Sequence, residues 1–130
     1  MICERSRETY KVDRSSIDYQ QRIQQYIKEL PSHFFEETSI NAAADKLGIP
    51  RRTFTKLFAE ITGDTWLQHV RYLAIKHARH RLHETDLPVT SIAFECGFHD
   101  LSTFYRQFQR QCGISPGRYR AYVGLKNHDG

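Results

Sequence analysis

An internal repeat limits the folds open to this chain more than any other feature of its sequence. Residues 53–58 (TFTKLF) and Gly63 recur fifty residues later as residues 103–108 (TFYRQF) and Gly113. Upstream of these segments, matching apolar residues lie forty-nine positions apart: Ile40, Ala43 and Ala44 in the first copy, and Val89, Ile92 and Ala93 in the second. Each copy therefore predicts a short helix, a glycine-containing turn and a longer helix, which is the helix-turn-helix pattern.

The spacing of apolar residues predicts helices throughout and no strands. The first helix is expected to begin near Ser15 or Ser16 and to stop at Pro31. Further helices are predicted over about residues 41–47, 50–61, 65–84, 89–96, 101–112 and 116–122. The predicted class is all-α, with two helix-turn-helix subdomains, a long central helix that joins them and about seven helices in total.

This interpretation divides the chain into five segments. They are a flexible lead-in or linker end (1–14), a first helix-turn-helix subdomain (15–63), a connecting helix (64–86), a second subdomain (87–123) and a C-terminal tail (124–130). A connecting helix of about 20 residues would be about 30 Å long. That length is close to one turn of DNA, about 34 Å, which separates successive major-groove faces.

Positive charge is concentrated in the part of the chain that contains the repeat. The chain has a net charge of +4 and a pI near 9.1. Residues 40–122 hold twelve Lys and Arg against seven Asp and Glu, whereas residues 1–39 hold six against seven. Five of the seven histidines also lie in this block and can add positive charge in a negative field. The distribution favours a polyanion such as nucleic acid as the partner.

The second helix of each copy has an apolar face and a polar face. The residues expected to face the core are Phe54, Leu57, Phe58 and Ile61 in the first copy, and Phe104, Phe108 and Gln111 in the second. The opposite faces present Arg52, Thr55, Lys56 and Ala59 in the first copy, and Ser102, Tyr105, Arg106 and Gln109 in the second. Arg and Lys suit guanine edges in a major groove, Thr suits the thymine methyl, and Ser suits either. Two such faces favour DNA recognition over ordinary solvated surface.

A set of motifs spread over residues 40–122 adds a family resemblance. The motifs are Ala44, residues 63–66 (GDTW), Ile75, Ala78, residues 88–93 (PVTSIA), residues 97–100 (GFHD), Phe104, Phe108 and residues 113–120 (GISPGRYR). Together they resemble the DNA-binding domain of AraC/XylS-type transcriptional regulators. The resemblance implies a sequence-specific regulator of bacterial type whose two recognition helices enter adjacent major grooves of double-stranded DNA.

Carried over position by position, the resemblance implies which residues contact DNA. The expected base-contacting residues are Arg52, Thr55, Lys56, Leu101, Ser102, Tyr105 and Arg106. We expect phosphate contacts from Ser39, Arg51, Thr90, Arg118 and Arg120. Three positions depart from the family pattern: Pro50 stands where a serine often caps the first recognition helix, Ala74 where the joining helix usually carries an arginine, and His69 where it commonly carries an aromatic residue. Leu101 can make only apolar contacts.

Several other functional classes are not supported by the sequence. No apolar run approaches the roughly 18 to 20 residues that span a bilayer, and the charged N-terminus lacks a signal-peptide core, so we expect a cytoplasmic protein without membrane contact. His77, His80 and His83 are interleaved with Lys and Arg, and the three cysteines are scattered, so no metal and no other cofactor is expected. No phosphate-binding glycine loop, nucleophile elbow or catalytic carboxylate pair is present, so the chain is not expected to be an enzyme.

Two alternatives remain at this point. A helix-turn-helix module used mainly for protein–protein contact, for example with a polymerase subunit, would carry apolar residues in its outward positions, where only Leu101 qualifies. The DNA-binding part of a recombinase or transposase would belong to a longer enzyme. Members of the resembled family commonly carry a separate effector and dimerisation domain, so a missing N-terminal domain and RNA polymerase are further expected partners.

Overall fold

A computed structural model describes residues 14–37 and 39–129 of the chain. Within these ranges it contains seven α-helices and no strand, so the predicted all-α class is confirmed. In chain order the helices are α1 (Arg14–Glu29), α2 (Ile40–Leu47), α3 (Arg51–Thr62), α4 (Trp66–Glu84), α5 (Val89–Glu95), α6 (Leu101–Cys112) and α7 (Pro116–Asp129). Two short 3₁₀ turns, Leu30–Ser32 and Phe34–Glu36, follow α1. The predicted lead-in, residues 1–14, lies outside the described residues except for Arg14.

None of the described helices combines the length and the apolar character that a membrane span requires.

The two helix-turn-helix turns have the same backbone hydrogen bonds. In the first turn, the Ile49 N–H donates to the Ala44 carbonyl at 3.0 Å; in the second, the Phe98 N–H donates to the Ala93 carbonyl at 3.1 Å. The residue before each donor is a glycine with positive φ, 70° at Gly48 and 94° at Gly97. Only glycine adopts this conformation without a steric cost from Cβ, so the glycine spacing in the sequence correctly located both turns.

The last helix is longer than the sequence predicts. Apolar spacing predicted helix only over residues 116–122, but α7 continues to Asp129. No proline follows Tyr122, and Gly124 alone costs a helix only about 1 kcal/mol relative to alanine. The residues assigned to a C-terminal tail therefore continue the helix.

The described residues form two compact units. The first contains residues 14–32 and 39–66, and the second contains residues 33–37 and 67–129. Helix α4, predicted as a separate connecting segment, thus contributes Trp66 to the first unit and its other residues to the second.

Aromatic side chains from three helices form the core of the first unit. The ring of Tyr26 in α1 meets Phe54 and Phe58 of α3 edge-on, with ring centroids 5.9 and 6.5 Å apart. The buried Trp66 donates from Nε1 to the Tyr26 hydroxyl at 2.7 Å. Edge-on ring pairs and a satisfied indole N–H are the arrangements that stabilise buried aromatic residues.

The second unit has aromatic rings in its core and an ion pair at its surface. Phe104 meets Phe98, and Phe108 meets Tyr119 of α7, at centroid distances of 5.3 and 5.7 Å. Arg81 of α4 donates two hydrogen bonds, of 2.6 and 3.1 Å, to the carboxylate of Glu95 in α5.

The charge state of Glu95 reflects opposing effects. Its partial burial raises the pKa of the carboxyl, but hydrogen bonds from Arg81 and His77 outweigh burial and bring the pKa below its ordinary value. An ionised Glu95 therefore joins α5 to α4 through a two-point contact with Arg81.

Two of the residues predicted to face the core do not do so. Ile61 is 37% exposed and Gln111 is exposed, whereas Gln107 is buried. Ile61 and Gln111 occupy equivalent positions in the last turns of α3 and α6, close to the exposed terminating glycines Gly63 and Gly113. Gln107 is the repeat equivalent of the buried Leu57, so helical phase places it inside although its side chain is polar.

Candidate nucleic-acid interface

Helix α3 presents a positively charged face to solvent. Phe54, Leu57 and Phe58 are buried on one side of the helix, which leaves the predicted base-contacting residues on the other. Arg52, Thr55 and Lys56 are all exposed, and with Arg51 they line an open surface depression of about 450 Å³. The structure thus brings together all the residues that the sequence assigned to the first recognition helix.

The N-terminus of α3 has no side-chain cap. Pro50 occupies the cap position and makes no side-chain hydrogen bond. The first backbone N–H groups of a helix have no intrahelical partner, and they carry the positive end of the helix dipole. Beside Arg51 and Arg52, this helix end is therefore suited to an anionic group such as a phosphate.

Helix α6 presents a more mixed face. Of its predicted base-contacting residues, Ser102, Tyr105 and Arg106 are exposed, and Leu101 is half-buried. Phe104, Gln107 and Phe108 point into the core. Among the predicted base-contacting residues, α6 therefore offers one cation, Arg106, whereas α3 offers two, Arg52 and Lys56.

Asp100 has a capping role, at the start of the second recognition helix, that the sequence analysis missed. The Asp100 carboxylate accepts the Thr103 backbone N–H at 2.7 Å and the Thr103 hydroxyl at 3.0 Å. These two hydrogen bonds, led by the backbone one, bring the pKa of Asp100 below its ordinary value. An Asp three residues before Thr103 at the predicted helix start is a recognisable capping signal.

The residues predicted to contact phosphate lie near the starts of several helices. Arg51 and Thr90 are exposed in the first turns of α3 and α5, and Arg118 is exposed in the first turn of α7. Ser39 is half-buried and caps α2, because its hydroxyl accepts the Ala42 N–H at 3.0 Å. Their contacts with DNA stay predictions.

Arg120 is engaged within the protein. It is half-buried, and it donates from Nε to the Leu82 carbonyl at 3.3 Å and from Nη2 to the Thr85 carbonyl at 3.1 Å. The sequence analysis gave it only a phosphate contact and missed this role, since its partners lie more than thirty residues earlier in the chain.

Cys96 and Cys112 are free cysteines in the described part of the chain. Burial is the largest cause that raises the pKa of the Cys96 thiol, to about 12, so the reactive thiolate is scarce at neutral pH. Burial also raises the pKa of Cys112. Across residues 14–37 and 39–129 there is no group of three His, Cys, Asp or Glu side chains placed to hold a metal ion.

A family model described as a helix-turn-helix domain matches residues 43–122, which include both copies of the repeat. The chain belongs to the AraC-type helix-turn-helix family. One AraC-type relative is the HTH-type transcriptional activator RhaS of Escherichia fergusonii, 37% identical over 99 residues. The match covers 76% of this chain and 36% of the relative, so the chain spans about a third of the length of the curated relatives it matches.

Solved structures of AraC-type domains have the same fold. The DNA-binding domain of AdpA, a global transcriptional factor crystallised in complex with a target DNA, is 28% identical with a TM-score of 0.76, over 82% of this chain and 96% of that one. An AraC-type regulator from Chromobacterium violaceum has a TM-score of 0.71 over 80% of this chain and 93% of that one. Its identity of 23% shows a shared fold alone.

The AraC-type family is one of sequence-specific DNA-binding transcription regulators, and it is not an enzyme family. Double-stranded DNA is the partner that this membership supports. The family resemblance and the class of function predicted from the sequence are therefore confirmed.

Proposed function

We propose that this chain is the DNA-reading part of a transcriptional regulator, which places α3 and α6 in adjacent major grooves of one duplex. The observation that carries the proposal is the exposure, at equivalent positions of the repeat, of Lys56 in α3 and Arg106 in α6. Both lie opposite a buried aromatic face, so each helix can enter a groove without uncovering its core.

The proposal gives the two helices different base preferences. Arg52 and Lys56 of α3, like Arg106 of α6, suit the O6 and N7 acceptors of guanine, and Thr55 suits a thymine methyl. Ser102 can donate to or accept from a base, and Tyr105 and Leu101 add apolar contacts. Because α3 carries more cations, it is expected to provide the stronger half of the recognition.

Contacts with the sugar–phosphate backbone set the position of the protein on DNA. We assign this role to Ser39, Arg51, Thr90, Arg118 and Arg120, as the sequence predicts. The uncapped start of α3 beside Arg51 supports the assignment most directly. Arg120 supports it least, because its guanidinium already binds two carbonyls.

The longer relatives suggest the setting in which this chain acts. They are named transcriptional activators and extend well beyond the matched region. We infer that the chain works beside an effector or dimerisation domain, contacts RNA polymerase and acts in the cytoplasm, where bacterial DNA lies. None of these roles involves catalysis.

Selection of duplexes from a random DNA library tests the proposal as a whole. The chain should enrich sequences with two conserved base clusters, and its affinity for them should fall with salt by a log–log slope of about 0.9 for each phosphate neutralised. A flat salt dependence with no enriched sequence would reject DNA reading and favour a protein-contact module.

Two arginine variants distinguish base reading from positioning. Arg52→Ala should cost about 1–3 kcal/mol of binding free energy on the selected duplex and relax the preference at one base position. Arg118→Ala should weaken binding to selected and scrambled duplexes alike, because phosphates are the same on every sequence. Equal losses on both duplexes for both variants would show that Arg52 does not read bases. Filter binding at fixed salt gives all four affinities.

A further inference from the structure

Helix α6 carries a chain of hydrogen bonds that leads from its cap to its exposed arginine. The Asp100 carboxylate accepts the Thr103 hydroxyl at 3.0 Å, and the same hydroxyl oxygen accepts Arg106 Nη2 at 3.4 Å. Helix α3 has threonine and lysine at the equivalent positions, but its cap is Pro50, whose side chain has no acceptor. The chain of hydrogen bonds therefore distinguishes the two recognition helices.

The geometry gives the Thr103 hydroxyl a fixed direction. A threonine hydroxyl has a single hydrogen, and here it is donated to Asp100. The oxygen lone pairs are left to face Arg106, and the carboxylate beyond strengthens their attraction for a cation through the chain. Asp100 also holds the backbone N–H of Thr103 at 2.7 Å, so the threonine itself is fixed at two points.

The contact also decides where the guanidinium lies. Arg106 is exposed, and its bond to a residue three positions earlier draws its end towards the N-terminus of α6. The N-terminal residues of a recognition helix are the ones that meet base edges in a major groove. Without the contact, an exposed arginine can swing to phosphates, which accept arginine on any sequence.

We propose that Thr103 is a positioning residue, which holds Arg106 in the orientation that reads a base. The inference rests on the proposed function and adds a residue that itself is half-buried and is not expected to contact DNA. Its consequence is selectivity: loss of the threonine hydroxyl should weaken base preference at the position that Arg106 reads, while overall attraction to DNA is kept.

The test compares Thr103→Val with Thr103→Ser and with Thr53→Val, the equivalent change in the first copy. The probes are a duplex selected with the full chain, its variants at the position whose preference Arg106→Ala relaxes, and a scrambled duplex. Thr103→Val should reduce discrimination at that position by about 3- to 10-fold, part of what a good arginine–guanine pair provides. Affinity for the scrambled duplex should not change. Thr103→Ser should keep the discrimination, and Thr53→Val should leave this position unaffected.

Other results would reject either the positioning role of Thr103 or the proposed function itself. Undiminished discrimination in Thr103→Val, or equal loss on the selected and scrambled duplexes, overturns the inference, as does an Arg106→Ala variant with unchanged preference everywhere. If circular dichroism shows that valine disturbs the fold, Thr103→Ala is judged by the same criteria. A wild-type chain that selects no sequence rejects the proposed function itself, whereas intact selection with an indifferent Thr103 rejects only the positioning role.

Discussion

The guanidinium of Arg120 occupies the open end of α4. Its two acceptors, the carbonyls of Leu82 and Thr85, lie in the last turn of that helix and just beyond it. Carbonyls at a helix C-terminus lack intrahelical donors, and a cation there also interacts favourably with the helix dipole. Arg120 therefore attaches α7 to α4 within the second unit.

We expect Arg120→Ala to lower the free energy of unfolding by about 1–2 kcal/mol, because two half-buried carbonyls lose their donor. The exposed Arg118, two residues earlier, is the matched control, and its alanine variant should change stability by no more than about 0.5 kcal/mol. Urea denaturation of both variants measures the difference. Equal effects would mean that the carbonyls find other partners in the absence of Arg120.

At the scale of elements, the two helix-turn-helix turns differ in what packs against their glycines. A Cβ built on Gly97 would lie 3.4 Å from the Phe35 carbonyl oxygen, whereas one on Gly48 would meet only the end of Arg22 at 3.6 Å. The 3₁₀ turn containing Phe35 thus lies against the second turn, and Gly97 is required there for its φ, since a Cβ would make only ordinary van der Waals contact.

Gly97→Ala should therefore destabilise the second unit about as much as an alanine at another positive-φ glycine of the same unit. Gly113 has φ 83° and nothing within 4 Å of a built Cβ, so Gly113→Ala should cost only the conformational term, about 1–2 kcal/mol. We expect Gly97→Ala to cost a similar amount, because the added methyl would make only ordinary van der Waals contact with the Phe35 backbone. Thermal denaturation of the two variants provides the comparison, and a clearly lower midpoint for Gly97→Ala would contradict it.

The contact of Glu95 with Arg81 predicts a dependence of stability on pH. Since folding lowers the pKa of Glu95, its contribution is complete above the ordinary value of 4.5 and is lost as the pH falls through the lowered one. The side chain is 35% exposed, so screening limits the contribution to less than about 1 kcal/mol. Glu95→Gln should be less stable than wild type at about pH 6, and the gap in urea denaturation should close towards about pH 3. A gap that is constant with pH would assign the effect to packing.

The elements that could be predicted from the sequence are those with local causes. Ser39 as a cap and Gly48 as a terminator need only neighbouring residues, and they fix α2 within one residue of its observed start. The exposure of Ile61 and the carbonyl contacts of Arg120 depend on where distant segments lie, which periodicity does not encode. The exposure of Arg52, Thr55 and Lys56 on α3 was predicted from the buried residues opposite them, whereas the burial of Gln107 was missed because its side chain is polar.

At the scale of the whole molecule, we expect one chain to read two base clusters at a fixed spacing. Helix α4 follows α3 and precedes α5 in the chain, and it contains neither Gly nor Pro. We expect clusters about 10 to 10.5 base pairs apart. Inserting five base pairs between them, half a turn, should reduce affinity to that of the first cluster alone. Unchanged affinity in a gel-shift titration would mean that only one copy binds or that the copies are flexibly joined.

The two recognition helices differ in the charge at their N-termini. The start of α3 is uncapped beside two arginines, whereas the start of α6 carries the ionised Asp100, which repels a phosphate. Exchanging the two helices on a duplex would bring a carboxylate to the place of a cation. Under the proposed binding mode we therefore expect a single chain to bind its site in one orientation, so a duplex in which the two base clusters are exchanged should bind more weakly in a gel-shift titration.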